Sequence, residues 1–131
     1  MDLSTPRVMG IINITPDSFY DGGKYKDETE IIAQVETMLA NGASFIDIGA
    51  YSSRPGAEYV DESEELARII PIVKLLLKTF PNVLISIDTF RSRVADECLA
   101  LGAAIINDIS AGNLDPKMME VVGKQRAPYI M

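Results

Sequence analysis

Residues 40–48 read Ala-Asn-Gly-Ala-Ser-Phe-Ile-Asp-Ile, and residues 100–109 repeat the pattern as Ala-Leu-Gly-Ala-Ala-Ile-Ile-Asn-Asp-Ile. Both segments begin with Ala-x-Gly-Ala and pass into an apolar run that closes on a polar residue. This order is typical of a helix end, a tight turn and the entry into a buried strand. The repeat favours an α/β barrel, in which such a unit recurs. A doubly wound open sheet uses the same turn and stays the alternative on this pattern alone.

Five short apolar runs mark the predicted strands. β-branched residues stand at both odd and even positions within them, which is typical of strands that are buried on both faces. The runs are 8–12, 45–48, 83–87, 104–106 and 127–131. Amphipathic stretches separate them and predict four helices: one that begins near Asp27, two that span 61–79 and 92–101, and one that begins at Asp115. This strict alternation favours a parallel sheet with right-handed crossovers.

The length of the chain bounds the architecture. A complete (β/α)8 barrel takes about 250 residues, whereas this sequence has 131 and reaches Met131 inside the fifth predicted strand. We therefore expect residues 1–131 to form one domain, the N-terminal half of a (β/α)8 TIM barrel from strand one to strand five, truncated within strand five. An open half-barrel would expose the inner face of its sheet and an unpaired strand edge, so we expect a homodimer to cover them. The residues predicted to face inward are Met9, Ile11, Phe45, Leu84 and Ile105.

Composition excludes several classes of protein. Apolar residues make up 47% of the sequence and charged residues 24%, which suits a packed core rather than a disordered chain. Nineteen acidic against twelve basic residues give a net charge of -7, the wrong sign for coating nucleic-acid phosphates. The longest apolar stretch, 69–77, is too short to span a bilayer, and no secretory signal is recognisable at the start. With one cysteine and no histidine, we expect a cytoplasmic protein that has no nucleic-acid or membrane partner.

Four consecutive predicted strands end on an amide or a carboxylate: Asn13, Asp47, Asp88 and Asn107. Ligands of α/β folds bind at the C-terminal ends of the strands. Any single member could be structural, since Asp47 could bond neighbouring loops and Asp88 could help to cap the following helix. Four at equivalent positions favour one shared polar site.

The loops that follow the first two strands exceed the usual 2–6 residues. The first contains Phe19, Tyr20 and Asp21, and the second carries Arg54 among small hydroxyl residues. Arg forms fork-shaped contacts with phosphate or carboxylate. A surface turn and a solvated Arg are the alternatives, but the length of both loops favours binding. No Walker or Rossmann glycine pattern follows any strand, which excludes these nucleotide-binding motifs.

Together these segments resemble the signatures of the dihydropteroate synthase family. Residues 9–23 are similar to its opening signature, 47–57 to its second, and 86–89 and 107–110 to its third and fourth. The resemblance covers nearly the whole chain in order. It implies a (β/α)8 barrel, a target of sulfonamides, that joins 7,8-dihydropterin-6-ylmethyl pyrophosphate to p-aminobenzoate and releases pyrophosphate with the help of Mg²⁺.

The resemblance also implies roles for particular residues. Asp88, Arg54 and Asp21 are expected to be catalytic, because a cation and Arg54 can stabilise the departing pyrophosphate and Asp88 a cationic pterin methylene. The implied contacts are Asn13 and Asp21 with Mg²⁺ and pyrophosphate, Ser53 and Arg54 with the phosphates, Asp88 and Asn107 with the pterin ring, and Phe19 and Pro55 with p-aminobenzoate.

Two departures from the family pattern and two alternatives qualify this expectation. The second signature usually reads Gly-Gly-Glu-Ser-Thr-Arg-Pro-Gly, whereas this chain has Ala50, Tyr51 and Ser53 at the second Gly, the Glu and the Thr. The family's later motifs have no counterpart within the 131 residues, so we expect this chain alone to be inactive. The alternatives are the pterin-binding domain of a corrinoid-dependent methyltransferase and a non-catalytic, self-associating half-barrel. The first would not need the two long loops, and the second would have no reason to keep the site residues.

Overall fold

The computed structural model describes residues 2–14, 20–21, 24–25, 28–51 and 59–131. Within these ranges the elements are β1 (Val8–Asn13), β2 (Tyr20–Asp21), β3 (Lys24–Tyr25), α1 (Glu28–Ala40), β4 (Ala43–Gly49), α2 (Glu62–Thr79), β5 (Ile85–Asp88), α3 (Ser92–Leu101), β6 (Ile105–Asn107), α4 (Met118–Gln125) and β7 (Tyr129–Ile130). The predicted alternation of strands and helices is confirmed.

Five strands form one parallel sheet in the order β1-β4-β5-β6-β7. Each of these strands pairs with the next one along the chain, so the sheet grows in one direction as a barrel does. A doubly wound sheet would instead reverse its strand order at a switch point. The half-barrel fold class is therefore confirmed, and the doubly wound alternative is wrong.

Alternate residues of the sheet face the helices and form the core. The parallel register places Ile12, Ile48, Ile87 and Ile106 side by side on this face, and all four are buried. They belong to one cluster with helix residues that include Ile31, Val35, Ile69, Val73, Leu76, Val94, Cys98, Met118 and Val122. All four helices thus bury an apolar side against the same face of the sheet, which leaves the other face for a ligand.

The ends of the helices follow from local signals, with one correction. Asp61 caps α2 by accepting a hydrogen bond from the Glu64 amide, and Gly102 ends α3 with a φ of 125° that favours glycine. The helix predicted from Asp115 begins at Met118 instead. The Asp115 carboxylate accepts from the amides of Lys117 and Ser92, so it holds a turn before α4 and caps α3 as well.

The first long loop contains a hairpin that the sequence analysis did not predict. β2 and β3 form a small antiparallel hairpin inside the first long loop, with Asp21 opposite Lys24. The Gly-Gly pair at 22–23, between the two short strands, is a sequence signal for such a hairpin. None of the helices in the described parts of the chain has the length and apolar character needed to cross a membrane.

Candidate functional site

One row of residues crosses the inner face of the sheet near the C-terminal ends of the strands. The register aligns Asn13 with Gly49, Gly49 with Asp88, and Asp88 with Asn107, and it places Ile130 at the end of the row. Parallel neighbours in register point to the same side of a sheet. The structure therefore brings three of the four predicted polar strand ends together in one row.

Asp47 does not belong to that row. β4 continues two residues past Asp47 to Gly49, so Asp47 lies one row deeper, in register with Ile11 and Ser86. The prediction that Asp47 ends its strand is wrong, because Ile48 and Gly49 extend the pairing. Only 3% of Asp47 is exposed, and burial raises the pKa of its carboxyl group.

Asp47 nevertheless contacts the row above it. The side-chain amide of Asn107 donates from Nδ2 to Oδ2 of Asp47 across 3.4 Å. Among the described residues, Oδ1 of Asp47 and the hydroxyl of Ser86 have no hydrogen-bond partner, although both atoms are buried. Buried polar atoms without partners are uncommon and costly, so this pair needs an explanation. Asp47 and Ser86 thus place two polar side chains directly beneath Gly49 and Asp88.

Asp88 is the most perturbed acid of the site. Burial, then the negative charge of Asp47, raises its pKa to about 6, while a hydrogen bond from Tyr51 opposes the rise. The Tyr51 hydroxyl donates to Oδ1 of Asp88 across 3.1 Å. A Cβ atom at Gly49 would lie 3.3 Å from Oδ2 of Asp88, so glycine leaves room for the carboxylate. An acid of this pKa is still mostly ionised at neutral pH and can accept hydrogen bonds.

A buried ion pair supports the loops beside the site. Arg91 contacts Glu65 at 2.8 Å, and its second nitrogen donates to the carbonyl of Val60 at 2.6 Å. The Thr89 hydroxyl also donates to Glu65 at 2.7 Å. These bonds join the start of α2 to the segments after β4 and β5, and so fix the backbone directly after Asp88.

Asp108 plays a similar part after β6. Its carboxylate accepts from the amides of Ser110 and Gly112 and from the hydroxyl of Tyr129. All of these partners are local or lie on the neighbouring strand, so Asp108 shapes the loop that follows Asn107. Both oxygens of the Asp108 carboxylate therefore stabilise the fold around this loop.

Several predicted site residues lie outside the described residues. These are Phe19, Ser53, Arg54 and Pro55, so their roles remain predictions. Asp21 lies in β2, where only its pairing with Lys24 is described. Asn13 ends β1 and is exposed.

Sequence reasoning missed Tyr51, Glu65 and Arg91 as members of the site region. Glu65 had a usable signal, since it lies four residues before Ile69 and thus on the buried stripe of α2. A carboxylate on an apolar stripe predicts a buried partner. Tyr51 had no comparable signal, because its contact with Asp88 depends on the path of the loop after β4.

The metal-binding capacity of the described residues is limited. They contain no group of three or more His, Cys, Asp or Glu side chains that could hold a metal ion.

Comparisons with known proteins agree with the fold and the site. The family model described as "Pterin binding enzyme" matches residues 9–131. The dihydropteroate synthase of Bacillus subtilis (strain 168) is 47% identical over 124 residues, which cover 95% of this chain and 43% of that protein. Two solved structures are similar over 98% of this chain. The Yersinia pestis dihydropteroate synthase in complex with a sulfonamide drug has a TM-score of 0.83 at 43% identity, with 46% of that chain covered. The Xanthomonas albilineans dihydropteroate synthase with 4-aminobenzoic acid has a TM-score of 0.82 at 40% identity, with 47% covered.

This chain therefore spans about half the length of the synthases that it matches. The family match, by contrast, extends over nearly all of its own sequence and includes every residue of the polar row. On this match, together with the strand order and the polar row, the chain belongs to the pterin-binding enzyme family.

Proposed function

We propose that this chain supplies the pterin-binding and pyrophosphate-binding half of a dihydropteroate synthase. The reaction joins 7,8-dihydropterin-6-ylmethyl pyrophosphate to p-aminobenzoate and releases pyrophosphate. The observation that carries the proposal is the row Asn13, Gly49, Asp88 and Asn107 on the inner face of the sheet. The similarity to synthases with a bound sulfonamide and with 4-aminobenzoic acid supports it.

The row suits a pterin edge. A pterin presents N–H groups and a carbonyl in one plane, and a carboxylate beside an amide can pair with both kinds of group. When it is ionised, the Asp88 carboxylate has acceptors and no donor, and its pKa of about 6 keeps it mostly ionised at neutral pH. The amide of Asn107 gives one N–H of Nδ2 to Asp47, which leaves its second N–H for a pterin carbonyl and its oxygen as an acceptor.

The chemistry needs no covalent protein nucleophile. The carbon–oxygen bond to pyrophosphate breaks, the amine of p-aminobenzoate forms the new carbon–nitrogen bond, and that amine loses a proton. Asp88 would hold the pterin and stabilise positive charge on its methylene group. Arg54 and Ser53 would bind the phosphate oxygens, and Phe19 and Pro55 would line the p-aminobenzoate pocket.

Mg²⁺ belongs to this proposal. The Asn13 amide oxygen and the Asp21 carboxylate are hard oxygen donors, which fit an ion that proteins usually hold with one or two carboxylates and substrate phosphates. The ion would supply charge neutralisation for the leaving pyrophosphate. Asn13, at the end of β1, is exposed and so accessible to such a partner.

The proposal extends to assembly and location. We propose that residues 1–131 on their own form a homodimer, since apolar residues on the inner face of their sheet are exposed. A cytoplasmic location fits Cys98, the single cysteine, which is a buried free thiol.

Kinetics and binding test the proposal in the full natural polypeptide that carries residues 1–131, called the full polypeptide below. Arg54→Ala should lower kcat/KM for dihydropteroate formation at least tenfold, about 1.4 kcal/mol, whereas Arg93→Ala, at an exposed ion pair on α3, should not. Asp88→Asn leaves a buried donor facing a donor, so it should weaken binding of pteroic acid by about 1–3 kcal/mol in calorimetry. Unchanged kinetics in Arg54→Ala together with unchanged affinity in Asp88→Asn would contradict the assignment.

A further inference from the structure

Tyr51 lies directly beside the polar row, although it belongs to the loop after β4. Its hydroxyl donates to Oδ1 of Asp88 across 3.1 Å. Oδ2 of the same carboxylate lies over Gly49, where a Cβ atom would approach it to 3.3 Å. Oδ1 of Asp88 is therefore bonded to Tyr51, and Oδ2 lies on the side of the carboxylate that faces Gly49.

The ring of Tyr51 is held in place by its neighbours. It makes an edge-to-face contact with Phe90, with ring centres 5.1 Å apart and planes at 87°. Phe90 in turn lies 4.6 Å from the guanidinium group of Arg91, which is anchored by the buried Glu65. Aromatic pairs of this geometry are favourable beyond their buried area. The Tyr51 ring thus packs against a residue that contacts the buried Arg91–Glu65 ion pair.

The charges around Asp88 explain what this hydroxyl does. Asp47 on β4, Glu65 on α2 and Asp108 after β6 all place negative charge near Asp88, and each raises its pKa. Arg91, a buried cation beside these acids, is paired with Glu65. Within the described parts of the chain, Tyr51 is the only residue that donates a hydrogen bond to the Asp88 carboxylate.

The Tyr51 hydroxyl is protonated, and so can donate a hydrogen bond, at neutral pH. Burial, and then the charge of Asp88, raises the pKa of its phenol well above the usual value, so the hydroxyl keeps its proton at neutral pH. A hydrogen bond to the charged form of an acid favours that form. The contact therefore favours the ionised carboxylate against the burial and repulsion that oppose it.

We propose that Tyr51 is a positioning residue for ligand recognition, which holds Oδ1 of Asp88 so that Oδ2 faces the bound heterocycle as an ionised acceptor. This inference rests on the proposed function, because it takes the ligand to be a pterin with N–H donors. It also gives a role to Tyr51, which stands where the second signature of the family usually has Glu.

Tyr51→Phe tests the proposal, since it removes the hydroxyl and keeps the ring against Phe90. The first measurement is the titration of the Asp88 carboxyl carbon by ¹³C NMR in the full polypeptide, with the signal assigned by its loss in Asp88→Asn. The midpoint should rise by about 1 pH unit, the size expected for one hydrogen bond to a charged group. The second is calorimetry with pteroic acid at pH 7, in which affinity should fall about tenfold, because the carboxylate loses the hydrogen bond that holds it in position.

Tyr59→Phe is the matched control. Tyr59 is exposed, and its ring lies 5.8 Å from Arg91, which a phenylalanine ring preserves. Neither the Asp88 midpoint nor the affinity should change in this variant.

Each outcome decides a different claim. An unchanged Asp88 midpoint in Tyr51→Phe overturns the hydrogen bond as a determinant of the Asp88 charge, and an unchanged affinity overturns its role in recognition. If the unsubstituted protein binds no pteroic acid, the proposed function fails and the recognition claim fails with it. The NMR titration would still decide whether Tyr51 holds Asp88.

Discussion

Asn107 donates from Nδ2 to Oδ2 of Asp47, one row deeper in the sheet, at a distance of 3.4 Å. This contact orients the Asn107 amide, because one N–H of Nδ2 is bonded to Asp47 while the second N–H and the oxygen stay available to a ligand. Asp47 thereby acts on the site without belonging to its row.

Asp47→Leu should therefore weaken pteroic acid binding about 5- to 30-fold, since the Asn107 amide loses the acceptor that orients it. Asp47→Asn is the control. Its side-chain oxygen can still accept from Asn107, so affinity should stay within about threefold of the unsubstituted protein. Calorimetry on the full polypeptide measures both. Equal affinities for Asp47→Leu and the unsubstituted protein would remove Asp47 from the account.

The buried ion pair between Glu65 and Arg91 should matter for stability. Arg91→Met leaves Glu65 buried without its cation, which typically costs about 3–5 kcal/mol in the free energy of unfolding. The double variant Glu65→Leu/Arg91→Met removes both charges and should recover most of that loss. Arg93→Met disrupts only exposed pairs with Glu62 and Glu97 and should cost less than about 1 kcal/mol. Urea denaturation at fixed protein concentration gives all three values. A double variant no more stable than Arg91→Met would contradict the explanation.

Substitution of Gly49 should disturb ligand binding, because Gly49 lies beside Asp88 in the row. A Cβ atom at this position would lie 3.3 Å from both Cβ and Oδ2 of Asp88, which is tighter than an ordinary contact. Gly49→Ala should therefore displace the carboxylate and weaken pteroic acid binding about tenfold or more, the cost of one disturbed charged hydrogen bond. Gly123→Ala is the counterpart in open space within α4, and it should leave binding unchanged while stabilising the helix by up to about 1 kcal/mol. Equal pteroic acid affinities for the two variants would show that Gly49 does not set the position of Asp88.

The 131-residue polypeptide should self-associate. On the inner face, Ile11 is 57% exposed and Ile130 41%, and nearby Leu84 is 42% exposed. Phe45 and Ile105, which were also predicted to face inward, are covered by their neighbours. β1 and β7 are the outer strands of the described sheet, so their edges are open to pairing.

Sedimentation velocity at micromolar concentration should therefore show a dimer. Ile11→Lys should shift the population toward monomer, and Leu3→Lys, an exposed residue outside the sheet, should not. A compact monomer that unfolds cooperatively would contradict this expectation.

The comparison of sequence and structure shows what local patterns can decide. Asn13, Asp88 and Asn107 were predictable as one row because each follows an apolar run at a parallel strand end, and parallel strands meet at one edge. The depth of Asp47 was not predictable. The extra pairing of Ile48 and Gly49 depends on the partner strands, which the sequence of β4 does not reveal.

The remaining contacts required tertiary information. Tyr51 reaches Asp88 across 37 positions, and Arg91 reaches Glu65 across 26. The sequence predicts that Asp115 caps the helix that follows it, yet one of its carboxylate oxygens accepts a hydrogen bond from the Ser92 amide at the start of α3. Tertiary packing determines such long-range partners, and local sequence propensity does not predict them.

If this chain forms a competent half of a dihydropteroate synthase site, it should work when joined to the other half of a relative. The most direct test inserts residues 1–131 in place of the matching segment of the Bacillus subtilis enzyme, to which they are 47% identical. Formation of dihydropteroate from the pterin pyrophosphate and p-aminobenzoate is then measured, after circular dichroism has shown that the chimera is folded. We predict that the chimera is active, that Asp88→Asn lowers its kcat/KM at least tenfold, and that residues 1–131 alone form no product. A folded chimera without activity, or one that Asp88→Asn leaves unchanged, would contradict the account.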